Sequence, residues 1–185
     1  MGNSINISKD IAIDTLQQNF QHIDLEIEEK SVSFDTLKIV SANCTLLYYP
    51  LGIYNDIEKF LNCLPKETVI EKQIKMNGIE TYYIQFSSNN IEVLVGDDYC
   101  GKNNSAINII NAIIENDTIE FVNFVKNGIT KQSFVRMLNL ESTDSFKEIK
   151  VIEFISVLLG IWHYYTFDDN NILIKIEIKS DYVFE

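Results

Sequence analysis

The sequence predicts an α+β fold of two tandem repeats, each a short helix packed on an antiparallel sheet, together forming a curved sheet with one free face. Three observations predict it. The segment GIETYYIQFSSNNI from Gly78 returns as GIWHYYTFDDNNI from Gly160, with Gly, Ile, both Tyr, Phe, both Asn and the closing Ile in order across a single gap. Internal self-similarity of this kind marks duplicated structural units. Ile57, Phe60, Leu61 and Leu64 follow the i, i+3, i+4, i+7 spacing of one apolar helix stripe. Ile172, Ile174, Ile176 and Ile178 alternate with Leu173, Lys175 and Glu177, the pattern of a strand with one covered face.

Residues 1–30 read as an N-terminal extension, 31–100 as unit A and 101–185 as unit B, in one compact body. In the extension, Ser8 caps a helix through Phe20, and Asp24, Glu26 and Glu28 then alternate with Ile23, Leu25 and Ile27 as an acidic strand. Unit A opens with strands Val32 to Val40 and Cys44 to Tyr49 about Ser41-Ala42-Asn43. Its helix is capped by Asn55, with Glu58 in a capping box, and is stopped by Pro65. In the following strands Ile91, Val93 and Val95 point inward and Glu92 and Leu94 outward, with Ser87-Ser88-Asn89-Asn90 as the turn. Lys102-Asn103-Asn104 connects the units. Unit B repeats the plan: strands Ile107 to Ile114 and Thr118 to Val125 about Glu115-Asn116-Asp117, then a helix capped by Thr130 with the stripe Phe134, Met137 and Leu138. Its closing strands turn at Asp168-Asp169-Asn170-Asn171.

A chain of 185 residues, 46% hydrophobic and 23% charged with two prolines, is an ordered globular domain rather than a disordered one. No apolar run approaches the roughly 18 residues of a membrane span, since Glu153 and Ser156 interrupt Val151 to Trp162. The polar start, with Asp10 and Asp14, lacks a signal peptide's apolar block, and Asn6 spoils the myristoylation pattern begun by Gly2. Cys44, Cys63 and Cys100 are odd in number and without CxxC spacing, which fits a reducing compartment. The expected location is cytoplasmic, or periplasmic if a signal peptide has been removed. A net charge of −12 disfavours nucleic acid and favours a basic partner.

The two histidines, His22 and His163, come with no nucleophile elbow or cysteine signature. Alternation with Ile161, Tyr165 and Phe167 turns His163 to the covered face as a packed core histidine. Asp97-Asp98 and Asp168-Asp169 are carboxylate pairs, but neighbouring strand residues diverge and no further ligands accompany them. Neither an enzyme nor a cofactor or metal site is expected. Parity places Trp162 and Tyr164 on the free face, and the repeat assigns Glu80 and Tyr82 to the equivalent positions. With Glu92, Leu94, Leu173, Lys175 and Glu177 they form a mixed aromatic and acidic surface of the kind enriched in binding hot spots.

The repeat plan, with the blocks Gly52-Ile53, Gly128-Ile129, Gly160-Ile161-Trp162 and Asp181-Tyr182, resembles the beta-lactamase inhibitory protein fold and bacterial immunity-type proteins. The resemblance implies a curved sheet that grips another protein with its helices behind, hence an immunity protein or inhibitor of a toxin or enzyme. It carries over no single contact residue, and the chain departs from that inhibitor in lacking paired cysteines. A small-ligand or cell-envelope scaffold with the same fold is the alternative.

Overall fold

The computed structural model describes residues 27–41, 57–62, 64–74, 78–96, 106–119, 125–140, 144–156 and 160–181. The proposed helix from Ser8, His22, the strand from Cys44, the Asn55 cap, Gly52-Ile53, the Asp97-Asp98 pair, the connector at Lys102 and Tyr182 lie outside them. The described chain is mostly β: β1 (Ile27–Ser33), β2 (Thr36–Ser41), α1 (Ile57–Asn62), β3 (Val69–Ile74), β4 (Glu80–Phe86), β5 (Asn89–Gly96), β6 (Ala106–Ile114), α2 (Lys131–Met137), β7 (Val151–Ser156), β8 (Ile161–Phe167) and β9 (Leu173–Ser180). All nine strands join one open sheet in the order β1-β2-β7-β8-β9-β6-β5-β4-β3. Its β2–β7 pair is parallel and the other pairs are antiparallel, so the sheet is mixed.

Two meanders, β3-β4-β5 and β7-β8-β9, flank β6. The opening strands do not occupy matching places, because β2 lies beside β7 whereas β6 lies between β5 and β9. The described strands therefore do not show the tandem repeat. The expected hairpin between Ile107 to Ile114 and Thr118 to Val125 is also absent from the pairing of β6, whose described neighbours are β5 and β9; residues 120–124 lie outside the described set. The expected single strand Val32 to Val40 is split by a two-residue turn. Ser33 pairs with Thr36, and Phe34, 98% exposed, takes the positive φ of 53° that a tight hairpin loop needs at its first position.

Local chemistry accounts for the other turns and helices. Thr130 caps α2 by accepting from the Ser133 backbone N–H at 3.2 Å, satisfying one of the helix's orphan donors. The helix buries Phe134, Val135 and Leu138. In α1, Phe60 is buried and Ile57 and Leu61 pack partly buried on the core; the helix ends at Asn62, and Leu64 of the expected stripe packs on the core from beyond its end. Between β8 and β9 the Asp168 carboxylate accepts from the backbone of Ile172 at 2.8 Å and Asn170 at 2.9 Å. The Ile172 hydrogen bond, with those from Asn170, holds that carboxyl below its usual range, so the aspartate is a turn clamp. Lys150 reaches its neighbour Asp169 at 2.6 Å.

The core lies on one face of the sheet. Phe134 packs with ring centroids 4.5 Å from Tyr165, 5.6 Å from Phe167 and 6.5 Å from Phe154, fixing α2 against β7 and β8. Lys131, buried, donates to the carbonyls of Ile149 at 2.6 Å and Lys147 at 3.3 Å and so ties the start of α2 to the segment entering β7. Burial pushes its ammonium below the ordinary lysine range. His163 is 1% exposed in this core, with Nδ1 3.4 Å from the Tyr165 hydroxyl, as alternation expects. Burial lowers its pKa to about 3, so it packs as the neutral ring.

Candidate functional site

Opposite the core, strand register assembles a second face residue by residue. Lys38, Glu153, Tyr164, Glu177, Ile113, Asn90 and Gln85 stand opposite one another in a single row from β2 to β4. Ser31 extends the row onto β1 and Val69 onto β3. A parallel row joins Val40, Ile155, Trp162 and Lys179. At a strand spacing near 4.8 Å, nine strands span roughly 38 Å; on β4, β5 and β6 only part of this side is open, since Thr81, Leu94 and Asn108 form a buried row there.

Trp162 and Tyr164 sit half-buried near the middle of this face. Between them and β6, Glu177 accepts Lys179 at 3.0 Å and Lys175 at 3.1 Å. Partial burial opposes ionisation of Glu177, yet these two ammonium groups hold its carboxyl below the usual range. Lys179 Nζ also lies 5.3 Å from the centre of the Tyr164 ring, within cation–π reach. Burial raises the Tyr164 phenol above its ordinary pKa, and the negative charges of Glu153 and Glu177 add to the effect. The hydroxyl consequently keeps its proton as a donor.

Across β6 the surface changes character. Tyr83, Gln85, Asn90, Glu92, Asn111 and Ile113 line an open depression of about 210 Å³. Asn111 donates to Glu92 Oε2 at 2.9 Å from the adjacent strand and orients the carboxylate. Tyr83 pairs with Glu92, and Gln85 with Asn90, so the β4–β5 part of the floor is a regular antiparallel ladder, while the β5–β6 ladder shifts register between Glu92 and Val93.

Of the nine residues the sequence assigned to this face, Trp162, Tyr164, Glu92, Lys175 and Glu177 lie on it. Four do not serve as expected. Tyr82 is 5% exposed in the core, and Glu80 shares its face, accepting from the Tyr82 hydroxyl at 3.0 Å and from Lys72 at 2.6 Å. The Lys72 hydrogen bond, then that of Tyr82, lowers the Glu80 carboxyl pKa. The cause is the gap in the repeat: one residue more in β4 than in β8 reverses the side of everything before it. Counted from Phe86 and Phe167, both buried, Tyr82 corresponds to His163, and Tyr83 is the aromatic that reaches the open face.

Leu173 is fully buried while Ile174 is 45% exposed. A bulge between Thr166 and Phe167, opposite Lys175 and Leu173, breaks the alternation that the isoleucine run suggested. Leu94 does point away from the core, but it is 3% exposed, in register with buried Thr81 and Asn108. Sequence reasoning missed Tyr83, Gln85, Asn90, Asn111, Ile113, Glu153 and Lys179. Parity counted back from Phe86 would have found Tyr83 and Gln85.

Among the described residues no group of three or more His, Cys, Asp or Glu side chains is placed to hold a metal ion, and no helix is long and apolar enough to cross a membrane. No protein-family model matches the chain, and comparison with curated proteins and with solved structures finds no match.

Proposed function

We propose that this chain is a non-catalytic protein-binding protein, an immunity protein or inhibitor that neutralises a toxin or enzyme through the open sheet face. The observation that carries the reading is the face itself. Its exposed row crosses every strand from Ser31 on β1 to Val69 on β3 and gives a partner a surface roughly 38 Å wide. The half-buried Trp162 and Tyr164 occupy its middle, where anchoring residues belong, and charged groups surround them. The depression of about 210 Å³ is smaller than the roughly 300 Å³ at which small-molecule pockets begin, which favours a protein over a small ligand. The net charge of −12 suits a basic partner and speeds its approach.

The internal sequence repeat belongs to the same proposal: a second meander adds three of the nine strands that make up the face. The test is capture of a partner from the native host followed by NMR cross-saturation from it. Saturation concentrated on Trp162, Tyr164 and their neighbours on β7 and β9 supports the reading. Saturation confined to the α2 side overturns it.

A further inference from the structure

We propose that the depression on the β4–β6 side of the open face receives an arginine side chain of the protein partner, with Glu92 as its counter-charge. The inference rests on the protein-binding reading and adds the chemistry of one contact. Two carboxylates on this face have opposite circumstances. Glu177 is bracketed by Lys175 and Lys179 and is already neutralised within the chain. Glu92 has as its partner the neutral amide of Asn111, through Oε2, and no lysine or arginine forms an ion pair with it among the described residues. The Asn111 bond leaves Oε1 for an incoming donor and fixes the plane of the group.

The remaining lining selects for a guanidinium. Gln85 and Asn90, opposite each other on β4 and β5, bring amide oxygens that accept hydrogen bonds, and Tyr83 and Ile113 offer apolar surface to an aliphatic stem. A guanidinium carries five N–H donors in one plane and no acceptor, so a carboxylate flanked by amide oxygens matches it. An ammonium is a point charge and gains less from spread acceptors. A single carboxylate offers a divalent cation too few ligands.

The experiment uses the whole chain labelled with ¹⁵N and titrated with Nα-acetyl-arginine amide, beside the lysine and citrulline analogues. The expected result is saturable shifts of the Gln85, Asn90 and Asn111 side-chain amides with arginine, weaker ones with lysine and none with neutral citrulline. Glu92→Gln, a near-isosteric surface change whose fold is checked by its unperturbed spectrum elsewhere, should weaken the arginine response at least tenfold. Equal response to citrulline, or an unchanged response in Glu92→Gln, overturns the assignment. Failure of this inference and failure of the protein-binding reading look different. Without arginine-selective shifts the depression loses its role while Trp162 and Tyr164 still carry a captured partner. A captured partner indifferent to substitution of Trp162, Tyr164 and Glu92 alike removes the reading and the inference together.

Discussion

The two meanders carry nearly the same sequence block and use it in opposite ways. In β8 the first tyrosine of the pair, Tyr164, faces the open surface and the second, Tyr165, is fully buried. In β4 the first, Tyr82, is in the core and the second, Tyr83, lines the surface depression. Because side chains alternate with a period of two, one extra residue between the tyrosines and the shared phenylalanine suffices to exchange the faces. Identity of letters in a repeat thus fixes strand type but not orientation; the residue count to a common anchor does. The electrostatics diverge as well, with Glu177 paired to two lysines and Glu92 to the neutral amide of Asn111.

The largest expected effect breaks this comparison directly. Tyr165→Ala removes a ring held between Phe134 and Phe154, at centroid distances of 4.5 and 5.7 Å. It should cost about 3–5 kcal/mol, as large-to-small core truncations do. Tyr83→Ala, at the aligned position, should stay within about 1 kcal/mol, because its ring is only half-buried. Urea unfolding of the two variants measures both. Equal costs would mean that the aligned tyrosines occupy equivalent environments.

A smaller effect sharpens the contrast through pH. His163 in β8 has its folded pKa lowered by burial from 6.5 to about 3. Below the unfolded value the unfolded chain binds a proton that the folded chain refuses, so stability is present above pH 6.5 and is lost as pH falls toward 3. Between pH 7 and pH 5 this one group should remove about 2 kcal/mol. Its aligned counterpart in β4, Thr81, cannot titrate. His163→Gln should flatten the profile over that window, read as the urea midpoint at several pH values; an unaltered slope would show that His163 is not the group responsible.

Legibility from sequence followed locality. The Thr130 cap, the α1 and α2 stripes and the inward aim of His163 depend on neighbours within a few residues, and the structure places them where the pattern does. Phe34 as a turn residue was hidden because an apolar aromatic in a β-rich run gives no turn signal, and its positive φ is imposed by the pairing of Ser33 with Thr36. The bulge that buries Leu173 and exposes Ile174 was hidden by an unbroken alternation of isoleucines. Strand order was not legible at all. The β2–β7 parallel pair joins residues more than a hundred positions apart, and nothing local encodes that choice.

The most direct measurement of the functional claim is the affinity of a captured partner for the folded Trp162→Ala, Tyr164→Ala double variant. Trp162 and Tyr164 lie on β8 between the neutralised Glu177 cluster on β9 and Glu153 and Ile155 on β7. As anchors each should contribute about 2 kcal/mol, so the double variant should bind at least a hundredfold more weakly by titration calorimetry with its unfolding midpoint close to the parent's. An affinity equal to the parent's, in a variant that unfolds normally, would contradict the assignment of function to this face.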